Sequence, residues 1–357
     1  MFLNDEPALA DFAGTIVDWQ KQYGRHHLPW QGTRDAYRIW LSEIMLQQTQ
    51  VTTVIGYYQR FLARFPDIRS LAEAGQDEVM PYWAGLGYYA RARNLHRCAQ
   101  ELVAHWEGQF PQLPEQIATL PGIGRSTAAA VAAFAHGVRS PIMDGNVKRV
   151  FTRYFGVYGI TSQRATEQLL WKTAEEVLQA APATLDMAAY TQGLMDLGSE
   201  CCVRGRPDCV RCPLQKTCYA NTHGVQHELP TPKQKKISPE RECKMLILHR
   251  QGNILLEQRV SPGIWGGLWS LPQYDDVSAL EAACNNWGQR SHGAQKMAGL
   301  LHVFTHFKLH IEPWYVQCDA ANVAEPGPRQ AWIPVEKLGV TALPAPVKKI
   351  LGGLFDI

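Results

Sequence analysis

Five of the chain's nine cysteines fall between positions 201 and 218, in the segment CCVRGRPDCVRCPLQKTC. A disulfide framework suits short secreted chains, whereas this one has 357 residues and an odd number of cysteines. Metal ligation is the better reading, and it demands a tight loop of fixed shape at this point of the fold. Two registers are open, beginning at Cys201 or at Cys202. The second gives C-x6-C-x2-C-x5-C, with Cys202, Cys209, Cys212 and Cys218 as ligands. Zinc sites usually pair two C-x2-C elements on separate knuckles, and only one is present, so a compact wrap around a [4Fe–4S] cubane suits the single segment better. The loop also carries Arg204, Arg206, Arg211 and Lys216 against one acid, Asp208. An ordinary solvated surface and a stiffened basic loop for a DNA backbone both accommodate that pattern.

Residues 120–127 read LPGIGRST and lead into AAAVAAFA. Pro121 with Gly122 and Gly124 demands a tight turn, and the small residues from Ser126 to Ala135 favour a closely packed helix. The preceding EQIATL reads as helix, so the unit is helix, glycine turn, helix. The spacing of a P-loop fails, no lysine follows the second glycine, and no strand precedes the turn as a dinucleotide site requires. Free backbone N–H groups where the helix opens are an anion site, and the glycines leave room for a phosphate. A plain turn between packed helices is the other reading.

From about residue 8 to 220 the apolar positions recur at helical spacing, as in YRIWLSEIMLQQTQVTTVIGYYQRFLARF. This predicts an all-α first domain over residues 1–220. The stretch NTHGVQHELPTPKQKKISPERE, 221–242, carries prolines and lysines and reads as an exposed linker. Over 243–357 the short β-rich runs KMLILH (244–249), NILLEQR (253–259) and HIEPWYVQC (310–318), with helical segments near 278–287 and at the end, predict an α+β domain. A net charge of +2 makes any nucleic-acid surface a local one. The acidic start MFLNDEP lacks the features of a signal peptide, and no apolar run reaches membrane-spanning length. A soluble chain of the cytoplasm or nucleoid, with no membrane partner, is expected.

The glycine turn, the segment DGNVKRV about twenty residues further on, and C-x6-C-x2-C-x5-C follow one another in this order. Together they resemble the endonuclease III superfamily of base-excision DNA glycosylases, whose turn is a helix-hairpin-helix. Within it, LPWQ (28–31), WLSEIMLQQTQV (40–51) and GLGYYARARNLH (85–96), with the additional C-terminal domain, are similar to the MutY-type adenine branch. The resemblance covers the first 220 residues closely and the rest more loosely. It implies a helix-hairpin-helix glycosylase domain with a [4Fe–4S] cluster, followed by a Nudix-like (MutT-like) domain that recognises the opposite base. It further implies a monomer that removes adenine from double-stranded DNA carrying A:8-oxoguanine or A:G mispairs.

Hydrolysis of an N-glycosidic bond needs a proton for the departing base and a negative group beside the oxocarbenium ion, work for two carboxylates in different environments. Glu43 is flanked by apolar residues in WLSEIML; turned inward, its pKa rises by desolvation and suits a general acid near neutral pH. A solvated helix glutamate is the blander account. The resemblance makes Glu43 the acid that protonates adenine N7 and later assists water. Asp144, in MDGNVKRV, suits a cap for the helix beginning near Val147. By resemblance it is the second carboxylate, stabilising the cation, with Asn146 orienting it. Lys148 and Arg149 reach either phosphate or solvent.

Gln48 and Tyr88 match the side chains that fill the space left by an extruded base; on their own they read as a surface helix residue and a core residue. Leu28, Trp30, Gln31 and Gln192 fall where the family lines its adenine pocket, although Gln31 and Gln192 stand where some relatives carry charged groups. Gly122 and Gly124 belong to the DNA-gripping turn. Ser126 occupies the place of the Schiff-base lysine of the lyase branch, which argues for base removal without strand cleavage. Two alternatives remain: an endonuclease III-like glycosylase and lyase on oxidised pyrimidines, and a non-enzymatic iron–sulfur DNA-binding protein, which predicts no carboxylate pair. In the C-terminal domain, GIWGGLWSLPQ lies where Nudix hydrolases begin their metal motif, but the glutamate-rich remainder of that motif does not follow. Recognition without hydrolysis is the expectation. Phe304, Thr305 and His306 stand where the family reads FSH, the loop that inspects the base opposite adenine; packing at a sheet edge is the alternative.

Overall fold

The computed structural model describes residues 6–233, 238–261, 263–287, 294–318 and 325–356. The chain divides into two compact units, one of Met1–Glu73 with Asn94–Gln234 and one of Ala74–Arg93 with Lys235–Ile357.

Helices run through the first part of the chain in the order α1 (Glu6–Tyr23), α2 (Ala36–Leu46), α3 (Val51–Arg64), α4 (Ile68–Glu73), α5 (Gln76–Val79), α6 (Ala90–His105), α7 (Pro114–Ile117), α8 (Arg125–His136), α9 (Gly145–Phe155), α10 (Arg164–Ala180), α11 (Met187–Asp196) and α12 (Tyr219–His223). Their starts follow from capping chemistry. Asp35, Asp144 and Asp186 each accept a backbone N–H from the first turn of α2, α9 and α11. Gly137 and Gly156, both at positive φ, end α8 and α9. The alanines of α8 are buried, from Ala128 to Ala135, and their small size lets α2 and α11 pack close to it. Gly193 on α11 does the same for α1: a Cβ there would stand 2.7 Å from Ile16. The resulting core gathers Phe12, Phe151, Phe155, Leu170 and Val177.

In the second unit the strands are β1 (Glu240–Arg250), β2 (Asn253–Gln258), β3 (Trp269–Ser270), β4 (Gln273–Tyr274), β5 (Gln295–Lys296), β6 (Leu300–Val303), β7 (Lys308–Gln317) and β8 (Gln330–Pro334). β1 and β7 lie parallel at the centre, in register from Glu240 beside Lys308 to His249 beside Gln317. The β1–β2 hairpin turns on Gln251 and Gly252, both at positive φ, as a two-residue hairpin requires. Helix α13 (Val277–Asn286) places Leu280, Ala283 and Cys284 against Leu246, Leu248, Leu255 and Val316, and α14 (Ala345–Gly352) closes the chain. The three expected strands and two expected helices are present; the pieces that were not foreseen are two to five residues long, too short to show a period.

Two boundaries differ from the expectation. The first stretch of the supposed linker is folded: it takes in the end of α12, Asn221 to His223, and Leu229 is 1% exposed. Buried Arg153 explains this, because its Nε donates to the carbonyls of Leu229 at 2.8 Å and Gln226 at 3.1 Å, which holds that stretch on the helical unit. Residues 74–93, expected within the first domain, group with the second unit. Hydrogen bonds from Gln258 to Asp77 (2.8 Å) and from Arg93 to the Gly266 carbonyl (2.6 Å) tie them there. The run YRIWLSEIMLQQTQVTTV, read from its spacing as continuous helix, is interrupted: α2 stops at Leu46 and α3 begins at Val51, with Gln48 at φ 58 between them.

Candidate active site

Helix α2 packs Trp40, Leu41, Ile44 and Met45 into the core, and the same winding carries Glu43 to the floor of a cavity of about 490 Å³. Trp30, Gln31, Phe134 and Gln192 contribute to its wall. Glu43 opens partly on this cavity, yet protein encloses its carboxyl. Burial, followed by the negative charge of Asp144, pushes its pKa up to about 7.

Asp144 caps α9, its Oδ1 accepting the Val147 N–H at 2.7 Å. Burial raises its pKa too, opposed by the N–H groups of Val147 and Asn146 and by the charges of Arg149 and Lys148. The two carboxylates therefore differ in kind: one is enclosed beside a like charge, the other is held by backbone donors and the charges of Arg149 and Lys148. Asn146, expected from the resemblance to orient Asp144, bears on the aspartate through its backbone N–H, while its side-chain Oδ1 accepts from Arg149 at 2.7 Å. Arg149 continues to the carbonyls of Cys202 (2.7 Å) and Gly198 (2.5 Å).

The glycine turn joins α7 to α8. Gly122 has φ +76, and a Cβ there would lie 2.6 Å from the Asn94 Cβ, so no other residue fits without movement. At Gly124, the cap of α8, a Cβ would meet nothing within 4 Å, and the N-terminal face of the helix is open. Ser126 Oγ accepts the Met143 N–H at 2.9 Å, which ties the first turn of α8 to the residue before Asp144.

Cys201, Cys202, Cys209, Cys212 and Cys218 all line one small pocket with Arg153. Among the described residues no three His, Cys, Asp or Glu side chains converge on a single ion. Arg153 Nη1 donates to Cys202 Sγ at 3.4 Å, and Gln226 Nε2 lies 3.9 Å from Cys209 Sγ. Cys201 differs in being buried in the helical core; its thiol donates to the Asp208 carbonyl at 3.1 Å, as that of Cys218 does to the Arg153 carbonyl at 3.5 Å.

Residues 41–176 match the family model of the HhH-GPD superfamily of base excision DNA repair proteins, and residues 243–352 match that of the NUDIX domain. An adenine DNA glycosylase of Buchnera aphidicola subsp. Baizongia pistaciae is 36% identical over 345 residues, covering 95% of each chain. The chain belongs to the adenine DNA glycosylase family. The human adenine DNA glycosylase is 29% identical, over 97% of this chain and 74% of its own. A thermostable thymine-DNA glycosylase superposes with a TM-score of 0.54 at 27% identity, over 61% of this chain and 98% of that one. An adenine DNA glycosylase is a base-excision repair enzyme, here with a helix-hairpin-helix domain followed by a Nudix-like one.

Against that family, the residues expected from sequence distribute unevenly in this glycosylase. Trp30, Gln31, Glu43 and Gln192 share the cavity; Leu28 is buried but forms no part of its wall. Lys148 is paired with Glu167 at 2.6 Å. Gln48 and Tyr88 both adopt left-handed backbone, φ 58 and 49, a strained state that clusters at functional positions. Tyr88 is 46% exposed, which rules out the core role its sequence context suggested. In the second unit Phe304, Thr305 and His306 form the loop between β6 and β7. Phe304 stacks on Phe307 at 4.4 Å, Thr305 and His306 are exposed, and the Thr305 hydroxyl lies 2.6 Å from that of Tyr88. Sequence reasoning missed Gln20, Arg25, Phe134 and Asp196. Gln20 and Asp196 are polar residues buried at 6% and 0% exposure, and Arg25 pairs with Asp196, none with a spacing that advertises it.

Proposed function

We propose that this adenine DNA glycosylase hydrolyses the N-glycosidic bond of adenine opposite 8-oxoguanine or guanine, after the nucleotide is extruded from the duplex. The observation that carries the reading is Glu43: a carboxyl enclosed at the cavity floor, with a pKa of about 7 and a second carboxylate near enough to raise it. Protonated, Glu43 delivers its proton to adenine N7. The C1′–N9 bond breaks with its electron pair going to the base, and the carboxylate of Asp144 stabilises the cation left on the sugar. Glu43, now ionised, takes a proton from the attacking water. Lys148 and the open N-terminal end of α8 past Gly122 and Gly124 suit phosphate contact. Gln48 and Tyr88 suit the space vacated by the base, and Phe304, Thr305 and His306 suit inspection of its partner. Ser126, with its hydroxyl engaged by Met143, offers no amine, so no Schiff base forms and the strand is left intact. Cys202, Cys209, Cys212 and Cys218 would hold a [4Fe–4S] cluster, which when bound staples the loop through four thiolates.

The test is incubation of the purified protein with duplexes carrying A opposite 8-oxoguanine, A opposite G, and thymine glycol, followed by alkali. Alkali-labile sites at the two adenines are expected. Strand breaks before alkali, or cleavage only at thymine glycol, would replace this reading with the lyase one.

A further inference from the structure

Two glutamines on the cavity wall have amide groups whose orientation is dictated by their partners. Gln192 Nε2 donates to Asp196 Oδ1 at 2.9 Å. Asp196 is fully buried, and Arg25 fixes it three times: from Nε at 2.7 Å and Nη2 at 2.6 Å to Oδ1, and from its backbone N–H at 3.0 Å to Oδ2. A carboxylate held by a guanidinium is an acceptor only, so the Gln192 amide nitrogen must face it and the carbonyl oxygen is the atom left for the cavity. Gln31 is set the opposite way. Its Oε1 accepts the Leu28 N–H at 3.1 Å, a group that can only donate, which leaves its NH₂ for the cavity. Neither freed atom has another partner among the described residues.

We propose that the buried Asp196–Arg25 pair is a positioning device for base selection, locking Gln192 as an acceptor beside Gln31 as a donor so that the cavity reads a 6-aminopurine edge. Adenine presents an N6 amine that donates and an N1 that accepts, complementary to this pair. Hypoxanthine presents O6, which accepts, and N1–H, which donates, so both contacts are reversed. This inference rests on the cavity being the pocket for the extruded base.

Single-turnover excision of adenine and of hypoxanthine, each opposite guanine, reads the device directly. The native enzyme should favour adenine by roughly 10- to 100-fold, the scale of a bidentate mismatch. In Asp196→Asn the amide at 196 no longer obliges Gln192 to offer its nitrogen, and the preference should fall by roughly tenfold, while Asp196→Glu, which keeps the acceptor, should recover much of it. Gln192→Leu removes the acceptor while leaving the three Arg25 contacts to Asp196 in place; the preference should fall there too, and this variant decides the matter if Asp196→Asn does not fold. A preference unchanged in Gln192→Leu would overturn the inference while leaving the adenine glycosylase reading intact. No excision of adenine by the native protein would sink that reading and the inference with it.

Discussion

Glu43 shows how far a single side chain sets the behaviour of the protein. Its pKa of about 7 lies above the ordinary 4.5, so the folded protein keeps a proton that the unfolded chain releases. Between those two values stability therefore falls as pH rises, and above about 7 the enclosed charge is a standing cost. Glu43→Gln should abolish excision yet raise the melting temperature at pH 8, by about 1–3 kcal/mol of stability, with the two proteins converging toward pH 4. Excision by the native enzyme should decline as pH rises through about 7; a flat profile from pH 6 to 9 would exclude Glu43 as the acid. A second residue-scale outcome concerns the cysteines. Cys201→Ser should retain the absorbance of a cubane at roughly 400 nm and Cys202→Ser should lose it, because Cys202 takes the Arg153 guanidinium while Cys201 alone of the five is buried in the helical core. At this scale the sequence was legible where apolar neighbours flank a charge, as in WLSEIML. It was silent on Asp196 and Gln20, whose partners lie far along the chain or are a cavity wall that no local pattern encodes.

The elements that carry these residues meet with little tolerance. Gly198, just past α11, lies so close to α9 that a Cβ would stand 2.6 Å from the Asn146 Cβ. Gly198→Ala should push Asn146 and the cap of α9, lowering stability by about 1–3 kcal/mol and excision by roughly tenfold or more, since the displaced group neighbours Asp144. Parallel melting and single-turnover measurements check this; equal rates would show that α9 yields without moving the aspartate. The helices themselves could be read from periodicity and from Asp caps. The interruption at 47–50 could not, because QQTQ holds neither glycine nor proline, yet Gln48 adopts positive φ there. The same holds for Tyr88, whose exposed ring and left-handed backbone contradict its aromatic, apolar neighbourhood in the sequence.

On the scale of the whole molecule, the glycine turn, the cysteine loop and the change from helical to β texture announced two units, but not which stretch belongs to which. Residues 74–93 fall within the helical stretch of the sequence, and contacts far along the chain assign them: Gln258 donates to Asp77, Arg93 donates to the Gly266 carbonyl, and the Tyr88 and Thr305 hydroxyls share a hydrogen bond. A fragment ending at residue 234 loses all three partners. Amide exchange followed by mass spectrometry should show 74–93 exchanging faster in that fragment than in the full chain, while α8 through α10 keep their protection; equal protection of 74–93 would mean that the helical unit alone orders it. The excursion of this segment means that the polypeptide passes from one unit to the other at 73/74, 93/94 and 234/235. The second unit is thus not a cassette appended to a finished enzyme. It cannot be exchanged between relatives, or grafted onto a single-domain glycosylase, by one splice near residue 234. A working chimera must inherit 74–93 and 235–357 together, and with them the tyrosine that meets Thr305.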